Sequence, residues 1–253
     1  MASESALTWP PYRGWLVLVG AFLTSTLMVG ATHYSFGLFS VPASEELGLS
    51  RAETNSALIA MGIGSAVLSP FIGRLIDLFS VRIIVALGGA LLGMGLVAIS
   101  LTSSPWLILF LALVPIAIGG DSAGGLSANV LAVRWFMRRR GRALGIIAIS
   151  SSMGGFAIAP LTGYLITAFG WRTALAVLGL AVMLVAFMVA LFLVRSRPDE
   201  TALRGAGELV SSGDRHASCV EKRSWTYREL VRDRNFFLIV IGAALLLRAI
   251  EPS

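Results

Sequence analysis

Hydrophobic positions in this chain form long unbroken runs, not the short alternations of a strand or the one-sided stripe of a surface helix. Apolar stretches fill Trp15 to Val41, Ser56 to Phe79, Ile83 to Thr102, Trp106 to Val133, Ala143 to Phe169 and Thr173 to Val194. A helix crosses a bilayer with roughly 17 to 25 such residues, and only a helix or a closed barrel pairs every backbone amide inside hydrocarbon. The pattern therefore predicts six spanning helices. A seventh run, Phe236 to Leu247, meets Arg248 and then Glu251-Pro252-Ser253, short of the roughly 20 apolar residues a crossing needs. The expected organisation is an N-terminal segment over 1–14, a six-span domain over 15–194, a linker over 195–234 and a truncated seventh span over 235–253. The linker is polar, with nine basic and seven acidic residues and no long apolar periodicity. Thr226 to Glu229 has capping-box spacing and predicts a short helix leading into the seventh span.

Composition extends this reading to the whole chain. Hydrophobic residues make up 56% and charged residues 13%, against about 25% charged in a soluble domain, and the mean hydropathy is +0.82. The chain reads as an all-α membrane protein whose first partner is the lipid bilayer. The initial apolar run is longer than the roughly 7 to 15 residues of a signal peptide's core, so it is read as an uncleaved first helix.

Charge placement orients the helices. With the N-terminus in the cytoplasm, 17 of the 20 Lys and Arg residues fall on that side: Arg13, Arg74, Arg82, the cluster Arg134, Arg138, Arg139, Arg140 and Arg142, and nine between Arg195 and Arg234. Arg51 and Arg172 lie opposite, and Arg248 sits in the seventh run. This is the asymmetry that orients helices on insertion, and it predicts a multi-pass protein of the plasma membrane, the inner membrane of a bacterium, with its N-terminus cytoplasmic. An isoelectric point near 10.4 then needs no nucleic acid, and the basic stretches lack interleaved stacking aromatics. Cys219 is the single cysteine; it forms no intramolecular disulfide and is expected to face a reducing compartment. No metal-ligand cluster, nucleophile–base pair or phosphate loop is present as a motif, so no enzymatic activity, metal or cofactor is expected.

An internal repeat gives the architecture. A shift of 90 residues aligns SPFIGRLIDLFSVR (69–82) with APLTGYLITAFGWR (159–172), with six identities in fourteen positions, Pro70 with Pro160 and Gly73 with Gly163 among them. The two copies cross in opposite directions, so spans 1–3 and 4–6 form two inverted three-helix repeats, a plan on which secondary transporters are built.

Two motifs carry a family resemblance. Gly73-Arg74-Leu75-Ile76-Asp77 with Arg82, between spans 2 and 3, resembles the loop signature of the major facilitator superfamily; Leu78 to Val81 lacks the basic residue and glycine usual there. Arg13-Gly14-Trp15, and Arg134-Trp135-Phe136-Met137-Arg138-Arg139-Arg140 through Ala143-Leu144-Gly145, resemble the monocarboxylate-porter and oxalate/formate-antiporter branch. The resemblance runs from residue 12 to about 245 and corresponds to the N-terminal half of that fold. It implies a carrier of small organic anions such as monocarboxylates, working by alternating access. Protons or a counter-anion would drive it, and a second half or a homodimer would complete it. The competing reading is a non-transporting membrane remnant or helix-packing scaffold.

Candidate site residues follow from scarcity of charge. Asp121, near the middle of span 4, is an acid where insertion costs roughly 2.5 to 3.5 kcal/mol. It reads either as a proton site or as a neutral carboxyl held by Ser122 or a backbone carbonyl. His33 and Tyr34 in span 1 read as substrate- or proton-facing, or as packed helix residues near the interface. Asn129 and Ser150-Ser151-Ser152 read as polar cavity contacts, the serines alternatively as close-packing positions beside Gly154-Gly155. Gly73 is expected to admit a neighbouring helix. Asp77 ends span 2, where the helix dipole disfavours an anion, so it needs a cation from Arg82 or Arg134. The resemblance makes it a cytoplasmic gate; otherwise it is a solvated cap. The arginines of the 134–142 cluster either gate or anchor at anionic headgroups, each worth about 1 kcal/mol. Pro70 and Pro160 are expected to kink their helices. None of the six spans carries an interior Lys or Arg away from its cytoplasmic end, and the resemblance places carboxylate-binding cations in the second half.

Overall fold

The computed structural model describes residues 13–136 and 139–192. Over these the six expected spans form as α1 (Gly14–Leu47), α2 (Arg51–Leu78), α3 (Val81–Leu101), α4 (Pro105–Trp135), α5 (Arg140–Phe169) and α6 (Trp171–Phe192). No strand occurs among the described residues. The 195–234 linker, the 235–253 segment and Arg138 lie outside them.

The helices outrun their apolar stretches because polar caps complete their ends. Ser50 and Glu53 form a reciprocal capping box at the start of α2, with the Ser50 amide 2.8 Å from Glu53 Oε2 and the Glu53 amide 3.2 Å from Ser50 Oγ. These bonds occupy donors that the first helical turn leaves without partners. Gly48 closes α1 at φ 64° and Gly170 closes α5 at φ 82°, left-handed positions that a side chain would strain. Helix α1, at 34 residues, is about 51 Å long at 1.5 Å per residue, well beyond a hydrocarbon core of about 30 Å.

Helices α1 and α4 each contain a π-helical turn, Gly30–Tyr34 and Ala112–Ile116. Pro70 and Pro160 lie within continuous helices. Lacking an N–H, they deprive the carbonyls of Ala66 and Phe156 of their helical donors.

Pairing follows the inverted repeat. Helix α3 packs most extensively on α6, α1 on α5, and α2 on α4; exchanging the two repeats turns α1–α5 into α4–α2 and α3–α6 into itself. The burial pattern repeats as well: Ala57, Ala60, Gly64 and Ile72 are buried on α2, and Ile147, Ser150, Gly154 and Thr162, each 90 residues on, are buried on α5. Glycine lets the backbones touch at each crossing. A Cβ on Gly154 would lie 2.7 Å from the Thr26 carbonyl oxygen and 2.9 Å from the Gly30 nitrogen. On α2, a Cβ at Gly64 would meet the Leu113 carbonyl and the Ala117 side chain. At the α3–α6 crossing, a Cβ on Gly179 would come within 2.7 Å of the Gly93 carbonyl oxygen. Close backbone contact supplies dispersion where lipid gives no hydrophobic drive between helices.

Two apolar clusters fill the bundle. One gathers Val17, Ile76, Val81, Leu131, Trp135 and Phe136 at the end rich in arginine, hereafter the basic end; the other gathers Met28, Met61, Leu92, Leu178 and Val182 toward the opposite end. The start of α1 and the end of α4 meet at the basic end, where the Trp15 and Phe136 rings contact edge to face at 5.3 Å. Helices α2 and α5 bury only 22% and 17% of their apolar windows, against 67% for α1, so both turn broad faces out of the bundle.

Candidate functional site

Asp121 sits in Gly119-Gly120-Asp121-Ser122 on α4, where glycines bring three helices close. Gly119 abuts the Gly88 carbonyl of α3, and a Cβ on Gly120 would lie 3.6 Å from Thr32 Cγ2 of α1. The half-buried carboxylate of Asp121 meets Ser69 of α2, with 3.1 Å between Ser69 Oγ and Oδ2. This corrects the expectation of Ser122 or a backbone carbonyl: the Ser122 hydroxyl bonds back to the Ile118 carbonyl of its own helix. A serine in a helix reaches its own preceding turn more readily than its neighbour's side chain.

His33 and Tyr34 lie in the π turn of α1, next to Thr32, and so at the level of Gly120 and Asp121. The structure brings these candidates to one depth. His33 is exposed; Tyr34 is half-exposed, its ring covering Gly155 of α5, where a Cβ would lie 2.8 Å from ring carbon Cε1. Asn129 is exposed a little over two turns further along α4, about 12 Å from Asp121 at 1.5 Å per residue. Ser150 is fully buried and bonds to the Ile147 carbonyl at 2.5 Å, an inward position against α1, while Ser152 is exposed.

At the basic end, Arg134 supplies the cation for Asp77. Its Nη2 lies 3.3 Å from Asp77 Oδ1 and 3.3 Å from the Ile76 carbonyl oxygen, so one guanidinium neutralises the carboxylate and caps the end of α2. The Asp77 side chain remains 79% exposed. Arg82 is exposed at the start of α3. Gly73 makes no close approach: no atom lies within 4 Å of where its Cβ would stand, because this face of α2 turns out of the bundle. Arg139, Arg140 and Arg142 are exposed around the first turn of α5. Cations there oppose the helix dipole, so they do not serve helix stability.

Sequence reading missed a lock at the opposite end. Glu46, in the last turn of α1, accepts from Trp171 Nε1 at 2.5 Å and from Arg172 Nε at 2.9 Å. Arg172 Nη1 reaches the carbonyls of Ser100 and Thr102, both at 2.9 Å, and Nη2 reaches Ser103 Oγ at 3.1 Å. One arginine thus ties the ends of α1, α3 and α6. The only signal for it was Arg172's position as a basic residue on the arginine-poor side. Beside the lock lies a cavity of about 300 Å³, lined by Phe36, Phe39, Met61, Leu96, Leu109 and Trp171 among others, with no Lys, Arg or His on its wall. It offers an anion hydroxyls from Thr32, Ser40, Thr54 and Ser56 but no cation, and Glu53 on the wall repels one.

Comparison with known proteins matches residues 17–250 to the family model described as Major Facilitator Superfamily. Human monocarboxylate transporter 14 is 29% identical over 166 residues, 65% of this chain and 32% of that protein. Bovine monocarboxylate transporter 13 is 29% identical over 212 residues, 80% of this chain and 47% of that protein. The oxalate:formate antiporter of Oxalobacter formigenes is 28% identical over 180 residues, 69% of this chain and 42% of that protein. The chain therefore spans between about a third and a half of the length of these relatives. A crystal structure of a bacterial homologue of the human lysosomal transporter Spinster, inward-facing and unoccupied, superposes with a TM-score of 0.61 at 20% identity, covering 75% of this chain and 44% of that one.

Proposed function

Because the chain belongs to the major facilitator superfamily, a family of membrane transporters and not of enzymes, we propose that it forms one six-helix half of a secondary transporter for small organic anions of the monocarboxylate class. The match over residues 17–250 together with the inverted α1–α5, α2–α4 and α3–α6 pairing carries this reading. Monocarboxylate and oxalate:formate carriers among the relatives support the substrate class. The open faces of α2 and α5 support a second half docking beside α1 and α4, with the pathway between them. On this reading His33, Tyr34, Asp121 and Asn129 line the pathway, and Asp121 exchanges the coupling proton unless a counter-anion takes that role. The cation that binds the substrate carboxylate comes from the second half, which lies outside the described residues. Gly73, Asp77 and Arg82 form the gate at the basic end, which faces the cytoplasm by the positive-inside rule. Arg134 holds Asp77 ready, and Arg138, Arg139, Arg140 and Arg142 anchor the same end at anionic headgroups.

Uptake of labelled formate and oxalate into cells expressing the chain tests this. With a homodimer supplying the second half, wild type is expected to exceed the empty vector, Asp121→Asn to lose most proton-driven uptake, and Asp77→Asn to slow it severalfold. Uptake no higher than the empty vector, with the protein present in the membrane, would rule out a homodimer as the complete carrier.

A further inference from the structure

Ser69 has one proton and two acceptors. Its Oγ lies 2.5 Å from the Ser65 carbonyl oxygen, one turn back on α2, and 3.1 Å from Asp121 Oδ2 on α4. A hydroxyl donates once but accepts through two lone pairs, whereas an ionised carboxylate only accepts. Both contacts are therefore hydrogen bonds together only when Asp121 is protonated: its O–H donates to Ser69 Oγ, and Ser69 O–H donates to the Ser65 carbonyl. When Asp121 loses its proton, Ser69 must turn its hydrogen to the carboxylate, since a charge-assisted bond is about twice as strong as a neutral one. The Ser65 carbonyl then keeps only its helical amide.

The α5–α1 crossing carries a hydroxyl relay of its own, without a titratable group and with the roles of the two helices reversed. Between α5 and α1, Thr162 Oγ1 and Ser35 Oγ lie 2.9 Å apart, and Ser35 Oγ donates to the Gly30 carbonyl at 2.8 Å. With the Ser35 proton committed to Gly30, Thr162 donates to Ser35. Hydroxyl, serine and main-chain carbonyl follow one another there too, but the serine and carbonyl sit on α1, the repeat mate of α4, so the two relays are alike in chemistry and not in repeat position. Thr162 and Ser35 are fully buried, and their relay has one protonation state. The Asp121 relay has two.

We propose that Ser69 is a positioning residue that passes the protonation state of Asp121 to the backbone of α2. Its place in the helix gives the switch leverage. Ser69 directly precedes Pro70, whose missing N–H already leaves the Ala66 carbonyl without a helical donor. The Ser65 carbonyl that gains or loses the Ser69 bond is therefore adjacent to a gap in the ladder, the kind of site at which helices bend. Other charges are few at this depth. Packed against α4 are α1, α2, α3 and α5; α2 has no titratable side chain between Glu53 and Arg74 and α3 none beyond Arg82, while α1 presents His33 and Tyr34 and α5 presents Tyr164. Asp121 is thus the one acid in the middle of the described bundle. The inference deepens the proposed function and rests on Asp121 exchanging a proton.

Infrared difference spectra between acid and alkaline pH, taken on the full chain in liposomes, test it. A carboxylic C=O band absent from Asp121→Asn is expected, and in Ser69→Ala it moves to higher wavenumber because the acid loses its hydrogen-bond partner. Ser69→Thr, which keeps the hydroxyl, restores the wild-type position. A band that stays in place in Ser69→Ala overturns the relay alone, leaving proton exchange by Asp121 standing. If Asp121→Asn removes no band, the residue exchanges no proton, and both the relay and the proton-coupled reading fall. A Ser69-dependent band together with uptake that ignores the proton gradient supports the relay and overturns the coupling.

Discussion

Arg172 illustrates how much one side chain does when its donors are all placed. It ion-pairs with Glu46 and gives three further hydrogen bonds to Ser100, Thr102 and Ser103, two of them to carbonyls that the end of α3 leaves without helical partners. Arg172→Ala is expected to lower stability by about 1 to 3 kcal/mol, the cost of stranding such groups. A lysine is a point charge without the planar fork, so Arg172→Lys should fall nearer to alanine than to wild type. Asp77 is the contrast. Its bridge to Arg134 is 3.3 Å long and 79% exposed on the aspartate side, and exposed pairs contribute about 0.2 to 1 kcal/mol. Thermal unfolding in detergent should therefore barely register Asp77→Asn while its transport slows. Equal losses of stability in the two variants would contradict this ranking. Asp77 was legible in the sequence as an anion needing a cation, and two arginines were candidates; choosing Arg134 required knowing that the ends of α2 and α4 meet. Glu46 gave no such signal, because its partners lie on α6, a long way along the chain.

At the scale of the helix, glycine position decides which faces join. Gly154→Ala forces a methyl to within 2.7 Å of the Thr26 carbonyl oxygen, and overpacking of this kind typically costs about 1 to 3 kcal/mol. Gly73→Ala meets open space and should be neutral or stabilising by about 0.4 to 1 kcal/mol, through the loss of glycine's unfolded-state freedom. Melting of the two purified variants checks the pair, and a destabilised Gly73→Ala would show that a neighbour covers that face. The six helices were readable from their apolar runs to within about three residues, except where polar caps carry the end of α1 to Leu47 and the start of α2 back to Arg51, and α2 and α5 were readable from their shared motif. Their partners were not: a helix apolar all round offers no stripe to orient it, and both Gly73 and Gly154 look alike until backbone distances separate them. The π turns were equally silent, since an inserted residue leaves hydropathy unchanged.

For the molecule as a whole, membrane class, helix count and repeat were carried by composition and pattern, which report on the solvent. The proposed pathway was not, because such a path forms between faces and not along the chain. Orientation remains the prediction of largest reach. If the basic end faces the cytoplasm, an impermeant maleimide added to intact cells should leave the single thiol, Cys219, unlabelled and should label it after permeabilisation; strong labelling of intact cells would invert the arrangement and move the gate proposed at Asp77 to the other side. The turn at Gly30–Tyr34 has its own consequence for such an object. It stores one residue more than an α-helix accommodates, and each residue of an α-helix advances the helix by about 100°. Deleting Thr32 would let α1 close into regular helix with the facing of everything beyond it kept, so the Glu46 carboxylate would stay on the guanidinium it now grips. A codon missing from the regular helix beyond the turn would instead swivel Glu46 away by about 100° and unfasten three helices without touching any residue that fastens them.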